Sequence, residues 1–274
     1  MSSKVEVSSM ASATEQIAPQ AVGRVERLRK VIDPIILAVL ILLGWELMIW
    51  IFKFHPVVLP PPSRVWTILS TQGDFLVEHM LVSLKTIVKG FTYGTFLGWL
   101  AGIFITYSRT VRKAIQPILV VLFVVPKSIF LPLLILWWGV GSDFPNHKIV
   151  ITMLLAFFPV TENTIAGLSG VDREMVELTH SLGGSSFLTI RKIALPFSLP
   201  FVLAGLRIAM TEAFIGTLFV EILVPNKGIG SRIVDAQDVS NTQFIIAAIM
   251  VIAVFGLTAY FLLQWIERRL TKWY

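Results

Sequence analysis

Between Phe244 and Trp265 the chain reads FIIAAIMVIAVFGLTAYFLLQW, 22 residues without an Asp, Glu, Lys or Arg. As an α-helix this stretch is about 33 Å long, enough to cross the roughly 30 Å hydrocarbon core of a bilayer. Working outward from it, five further apolar runs of similar length stand at about 34–54, 83–106, 117–138, 148–168 and 197–220. The pattern predicts an all-α, polytopic membrane protein with six transmembrane helices. The run at 83–106 is the least clean, because Lys85 and Lys89 sit in its first turns. Lysines near a helix end can extend their ammonium groups to the interface. Trp137, Trp138 and Trp265 lie near run ends, where aromatic belts form.

Composition agrees. Of the 274 residues 55% are apolar and only 15% charged, and mean hydropathy is +0.78. Soluble domains have about 45–50% apolar and about 25% charged residues, so a soluble two-domain enzyme and a disordered chain are both excluded. There is no cysteine, hence no disulfide, thiolate metal site or cysteine nucleophile. Residues 1–30 differ: Met1–Gly23 is rich in Ser, Ala, Gln and Val without a sustained period and reads as a flexible tail. No early apolar core with a small-residue cleavage site marks it as a signal peptide. The membrane domain is expected over 31–274.

The formal net charge of +6 is explained by where the charges fall. Arg24, Arg27, Arg29 and Lys30 precede the first run. Arg109, Arg112 and Lys113 follow the second, Arg173, Arg191 and Lys192 the fourth, and Arg268, Arg269 and Lys272 the sixth. All these segments share one side. On the other side Lys53, Arg64, Lys148, Lys227 and Arg232 are diluted by Asp74, Glu78, Asp143, Asp235 and Asp238. Lys and Arg collect in cytoplasmic loops, so both termini are expected in the cytoplasm. No nucleic-acid partner is needed to account for the charge.

Two loops exceed a bare connection. In the first outer loop Pro60-Pro61-Pro62 predicts a stiff extended stretch, with Ser63 as N-cap of a following helix. On the cytoplasmic side, 169–196 carries Met175, Leu178, Thr179 and Leu182 at helical spacing, followed by Gly183-Gly184. That predicts a short amphipathic helix outside the membrane, stopped by the glycines and needing a cover for its apolar face.

The same loop reads Glu177-Leu-Thr-His-Ser-Leu-Gly183 and, nine residues on, Ile193-Ala-Leu195-Pro196. This resembles the "EAA" loop of ABC importer permeases, with Leu178 and Thr179 standing where the name has two alanines. Further stretches resemble the nitrate/sulfonate/taurine branch of that family: Leu59–Trp66, Pro126-Lys127 with Leu131-Pro132 and Leu136-Trp137-Trp138-Gly139, Phe158-Pro159 with Asn163-Thr164-Ile165-Ala166-Gly167, Gly205-Leu206-Arg207-Ile208-Ala209, Glu221, and Gly228-Ile229-Gly230. The resemblance covers roughly 34–273. It implies the type I ABC importer permease fold in a bacterial cytoplasmic membrane. It implies a dimer with a second permease copy, two cytoplasmic ABC ATPase subunits and an extracytoplasmic binding protein. Glu177, Leu178, Leu182, Gly183, Ile193, Leu195 and Pro196 would then couple the chain to the ATPase. ATP and Mg would bind there, since no G-x-x-x-x-G-K-[ST] occurs in this sequence. The chain itself is expected to be a transport subunit without cofactor or metal.

Charges within spans normally face protein or a water-filled pathway. Lys127, Glu162, Arg207, Glu212 and Glu221 are the candidates for the translocation pathway. Pro126 and Pro132 predict a broken helix around Lys127, the kind that lines a cavity. Lys127 and Arg207 either attract a small anionic nutrient or pair with Glu162 and Glu212. Glu46 is expected to hydrogen-bond between helices. Gly90, Gly94, Gly98 and Gly102, four residues apart, predict one close-packing helix face, static ahead of a surface that slides. His55, His79, His147 and His180 lack metal-site spacing and are expected to be solvated. A self-contained secondary transporter or channel would show inverted repeats or ion-binding broken helices, and no convincing repeat is present. An integral membrane enzyme would need a nucleophile–base or metal cluster, which the sequence lacks.

Overall fold

The computed structural model describes residues 32–33, 36–138 and 147–271; the tail expected over 1–30, with Asp143 and Lys272, lies outside them. Every regular element described is helical: α1 (Ile36–Phe52), α2 (Pro62–Tyr107), α3 (Arg109–Val124), α4 (Leu131–Trp138), α5 (His147–Ser169), α6 (Arg173–Ser181), α7 (Ser186–Thr189), α8 (Leu195–Leu223), α9 (Ile229–Asp238) and α10 (Thr242–Leu270). A 3₁₀ turn, Lys127–Phe130, precedes α4, and a π turn, Ile190–Ala194, joins α7 to α8. The chain divides into two compact units, one ending at Thr67 and one beginning at Ile68.

In the first unit the expected roles of Ser63 and Glu46 combine differently. The helix begins at Pro62, where the missing N–H costs nothing because the first-turn donors have no intrahelical partner. Ser63 is therefore inside the first turn and is not the N-cap. Its hydroxyl donates to Glu46 Oε1 at 3.0 Å, and its N–H donates to Glu46 Oε2 at 3.3 Å. The carboxylate from α1 supplies the acceptor that a capping side chain would, at the end of the helix where its dipole favours negative charge.

α2 is far longer than the span expected at 83–106. Its 46 residues reach about 69 Å, because nothing between Ser63 and Lys85 interrupts the hydrogen-bond ladder: no proline occurs there, and Gly73 stands alone. The charges Asp74, Glu78, Lys85 and Lys89 mark its polar positions, not a loop. Helices α2 and α5, the fused run Phe187–Leu223, and α10 are each long and apolar enough to cross a bilayer. α1 is shorter. The third expected span, 117–138, is interrupted, as its prolines suggested, but only at one of them. The chain leaves the helix before Pro126 and restarts at Leu131. Pro132 makes no second break, since it sits in the first turn of α4, where its missing donor is not needed.

In the second unit α5 is the central helix. It packs along α8, and α4 and the 3₁₀ turn also touch it; α9 and α10 pack on α8. Between α2 and α5 the glycine stripe brings backbones together. A Cβ on Gly98 would lie 2.5 Å from the Phe157 carbonyl oxygen, one on Gly102 2.6 Å from the Thr164 Cβ, and one on Gly90 2.5 Å from the Thr152 Cβ. A Cβ on Gly94 would press on the Met153 carbonyl oxygen. The α5 side is built to accept this approach. Thr152, Thr161 and Thr164 turn their hydroxyls back to the carbonyls of Lys148, Phe157 and Val160, so these three hydroxyl protons are satisfied within α5. From the other flank Gly167, Gly205 and Gly216 of α5 and α8 leave room for Phe201, Asn163 and Leu155. Thr152 Oγ1 and Thr217 Oγ1 share a hydrogen bond of 2.7 Å between the two helices. Ala156, Val160 and Ala209 are fully buried at the centre, with Phe91, Trp99 and Leu206 around them.

The expectation of static close packing along the stripe generates a test. Gly94→Ala should destabilise the detergent-solubilised protein by about 1–3 kcal/mol, the range for forcing atoms into a filled interior. Gly73→Ala, on the same helix with nothing within 4 Å of its Cβ position, should leave stability unchanged or slightly raised. Equal unfolding transitions for the two variants would show that the stripe bears no packing load.

Candidate functional site

The segment between α5 and α8 folds from its own local chemistry. Asp172 caps α6 by accepting the Glu174 N–H at 3.2 Å. At the other end Gly183 takes φ +81°, a left-handed conformation that glycine adopts without steric penalty. This lets the Gly183 N–H reach the His180 carbonyl at 3.0 Å and the Gly184 N–H the Thr179 carbonyl at 2.9 Å, satisfying last-turn acceptors. His180 Nδ1 lies 3.1 Å from the Gly184 carbonyl oxygen and so carries the proton there. Helix and stop stand where the periodicity placed them.

The face so fixed is uncovered. Met175, Leu178 and Leu182 are 57%, 61% and 80% exposed. With Thr179, Gly184, Leu188 and Ile193 they line an open groove of about 260 Å³. Glu177 is exposed on α6, and Ser181 Oγ donates to its carbonyl. The return to the membrane helix is not a loop. α7, the π turn and α8 run on from one another, so the helix begins about ten residues before the expected 197. The π turn has a cause in Pro196: its ring cannot stand against the carbonyl of Lys192. The ladder widens, and the Leu195 N–H reaches the Ile190 carbonyl, five residues back. Ile193 belongs to this turn; Leu195 and Pro196 open α8.

The five intramembrane charges separate into different settings. Arg207 pairs with neither Glu162 nor Glu212. Its Nε donates to Glu267 Oε2 of α10 at 2.7 Å, and its Nη2 reaches the same oxygen. Glu267 was not anticipated, because it stands next to Arg268 and Arg269 and reads as part of a basic cluster; its place directly after the longest uncharged run was the available signal. Glu221 is 1% exposed and faces no open space. Ser83 Oγ of α2 donates to its Oε2 at 2.8 Å, and the Gly230 N–H donates to the same atom at 3.0 Å. Ser83 Oγ in turn accepts the Ile229 N–H at 2.9 Å. Gly228, at φ +107°, packs its Cα against the carboxylate where any Cβ would collide. One carboxylate therefore ties together α2, α8 and the start of α9. Lys148, also buried, adds a second tie by donating to the Lys227 carbonyl at 2.8 Å. His147 beside it is buried, contrary to the solvated setting expected for it; His55 and His180 are exposed.

Lys127 and Glu212 do come together. Both open onto a cavity of about 300 Å³ whose other walls are Pro126, Ile151, Leu155, Ile215, Gly216 and Phe219. The Lys127 ammonium stands 5.5 Å from the centroid of the Phe158 ring, within range of a cation–π attraction. Glu162 is exposed on α5, away from this cavity's walls.

Residues 94–272 match the family model described as "Binding-protein-dependent transport system inner membrane component". The chain belongs to this family. Among its relatives, the putative aliphatic sulfonates transport permease protein SsuC of Bacillus subtilis is 31% identical over 87% of this chain and 86% of its own length. The riboflavin transport system permease protein RibX of Chloroflexus aurantiacus is 28% identical over 85% of this chain and 87% of its own. An inward-facing structure of the MetNI methionine ABC transporter shares the fold, with a TM-score of 0.62 over 73% of this chain and 98% of that one at 17% identity. The chain is thus a membrane-embedded permease of the ABC type, in line with the family resemblance of its loop and helix motifs.

Within this permease the buried Glu221 set and the partly exposed Arg207–Glu267 pair predict separable defects. Glu221→Ala leaves the Ser83 hydroxyl and the Gly230 N–H without their acceptor, at about 1–3 kcal/mol for each unsatisfied group. Limited proteolysis should then cut the 224–230 segment faster than in the parent protein. Arg207→Glu should lower the unfolding temperature through repulsion with Glu267, and Arg207→Glu combined with Glu267→Arg should restore it. No restoration in the double variant would show that the two side chains do not interact.

Proposed function

We propose that this chain is the permease subunit of an ATP-driven importer in a bacterial cytoplasmic membrane. It forms the translocation pathway with a second copy of itself through six spans per copy, with both termini cytoplasmic. Two separate ATPase subunits dock on the 169–196 segment, and an extracytoplasmic binding protein delivers a small nutrient bearing an anionic group. The observation that carries this reading is the rigid, uncovered apolar face of α6.

The physical argument is short. α6 has nine residues, too few to be stable alone in water, yet it is capped at both ends and presents Met175, Leu178 and Leu182 outward. Apolar area that a folded protein leaves exposed in a defined groove marks an interaction surface. Covering three such side chains favours association by about 1.5–3 kcal/mol each at full burial. Glu177, on the exposed side of the same helix, orients the segment or meets a basic group of the ATPase. Gly183 holds the turn, and Ile193 completes the groove floor. Leu195 and Pro196 carry a displacement of the docked segment straight into α8, since helix and segment are continuous. Lys127, Glu212 and Glu162 belong to the pathway, with Lys127 as its cationic group. Arg207 and Glu221 serve it indirectly, by holding α10 and α9 in place. Charges inside a span are expensive and are retained where a pathway needs them.

Replacing Leu178 and Leu182 together by Asp should abolish copurification of the ATPase subunits and ATP-driven uptake into proteoliposomes. The unfolding temperature of the isolated permease should not move, because both side chains are exposed in it. Retention of the ATPase by this variant at parental levels would refute the docking assignment.

A further inference from the structure

The last turn of α10 carries two arginines that neither the packing of the helices nor the transport reading uses. We propose that this end of α10 binds one anionic phospholipid, with Arg268 and Arg269 on its headgroup phosphate and the exposed apolar stripe of the helix along its acyl chains.

The helix itself sets the depth of the site. Phe244–Trp265 carries no charge, so about 33 Å of helix lies in hydrocarbon and Trp265 marks the level where aromatic side chains meet headgroups. The charges that follow are Glu267, Arg268 and Arg269. Glu267 is engaged by Arg207 of α8, which cancels one charge of each sign. Arg268 and Arg269 are left, both exposed in the last turn, and among the described residues no carboxylate forms a salt bridge with either. The Arg269 guanidinium stands 5.2 Å from the centroid of the Trp265 ring. That cation–π contact holds the group beside the helix and leaves its N–H donors for an acceptor.

The arginines end an apolar stripe. Val254, Leu257, Phe261 and Trp265 are each more than half exposed, and their three- and four-residue spacing puts them on one helix face, which Arg268 continues. Acyl chains cover such a face but do not distinguish one lipid from another. The headgroup charge does. Two guanidinium groups without a counter-charge favour a headgroup of net negative charge over one that brings its own ammonium. Arginine suits the task, because its planar fork can give two N–H bonds to two phosphate oxygens. The basic pair Arg191–Lys192 lacks this setting. It stands in the π turn, and about 22 Å of helix separates it from Arg207, which is level with Glu267. A lipid seated on Arg268 and Arg269 braces the same helix end that holds Arg207.

The test is equilibrium lipid binding to the full chain in detergent, read by native mass spectrometry, with dioleoyl phosphatidylglycerol and dioleoyl phosphatidylcholine as probes. The parent chain should bind its first phosphatidylglycerol about tenfold more tightly than phosphatidylcholine, the effect of two cationic side chains near one phosphate. Arg268→Gln combined with Arg269→Gln should erase that preference by weakening phosphatidylglycerol alone. Arg112→Gln combined with Lys113→Gln removes the same charge from α3 and should keep the preference. A large excess of inorganic phosphate should not displace the lipid, since it has no chains to lay on the stripe. Gel filtration of the same samples reports folding, and Arg268→Gln alone, which should lower the preference in part, serves where the double variant does not fold. Equal binding of the two lipids by the parent chain overturns the site. So does an equal loss of preference in the α3 variant, which would reduce the effect to overall charge. Displacement by phosphate would overturn the lipid assignment in favour of a free anion. None of these readouts involves the ATPase, so the importer reading stands or falls separately.

Discussion

Lipid tails are as apolar as leucine, so burying leucine against leucine gives transmembrane helices little reason to associate. In this protein the association rests on backbone-distance contact with α5. Gly90, Gly94, Gly98 and Gly102 admit α5 from the α2 side, and Gly205 and Gly216 admit it on the α8 side. At such distances dispersion and weak polar contacts accumulate over many atom pairs. The close approach also requires that α5 present no unsatisfied donor, which is why its threonines bond to their own helix and why Thr152 meets Thr217. With α5 fixed, the broken third segment and α8 have a common wall to rest on.

Polar groups do a different job in the same structure. Glu221 Oε2, the Ser83 hydroxyl and the Ile229 and Gly230 N–H groups join three elements, with 146 residues between Ser83 and Ile229 along the chain. In a low-dielectric surround such a set favours one arrangement, since separating the elements would leave the Ser83 hydroxyl and the Gly230 N–H without their acceptor. Arg207 and Glu267 do the same for α8 and α10. Lys127 and Glu212 instead stand on the walls of one cavity.

The local features of the chain were legible from residue order. The apolar runs located four spans, Gly183-Gly184 located the end of α6, and Pro126 located the break in the third segment. Features set by distant partners were not. Nothing near Ser63 announces that Glu46 will take the place of its cap acceptor, and nothing near Arg207 points 60 residues ahead to Glu267. The true extent of α2 was hidden because charged residues were weighed as loop, although a helix that outruns the bilayer can carry them without strain. Pro132 was weighed as a breaker, whereas its position within the restarted helix makes it harmless.

The π turn at Ile190–Ala194 has a geometric effect on everything downstream. A π turn holds one residue more than an α turn, so it resets the angular phase of the helix that follows by about 100°. The faces of α8 are aimed from that point. Gly205 and Gly216 meet α5, Arg207 meets Glu267, and Glu221 meets Ser83 only with that phase. Pro196, by forcing the extra residue, acts as the index mark for a helix whose working residues lie up to 25 positions farther on. It also places that mark at the junction between the exposed groove and the membrane helix.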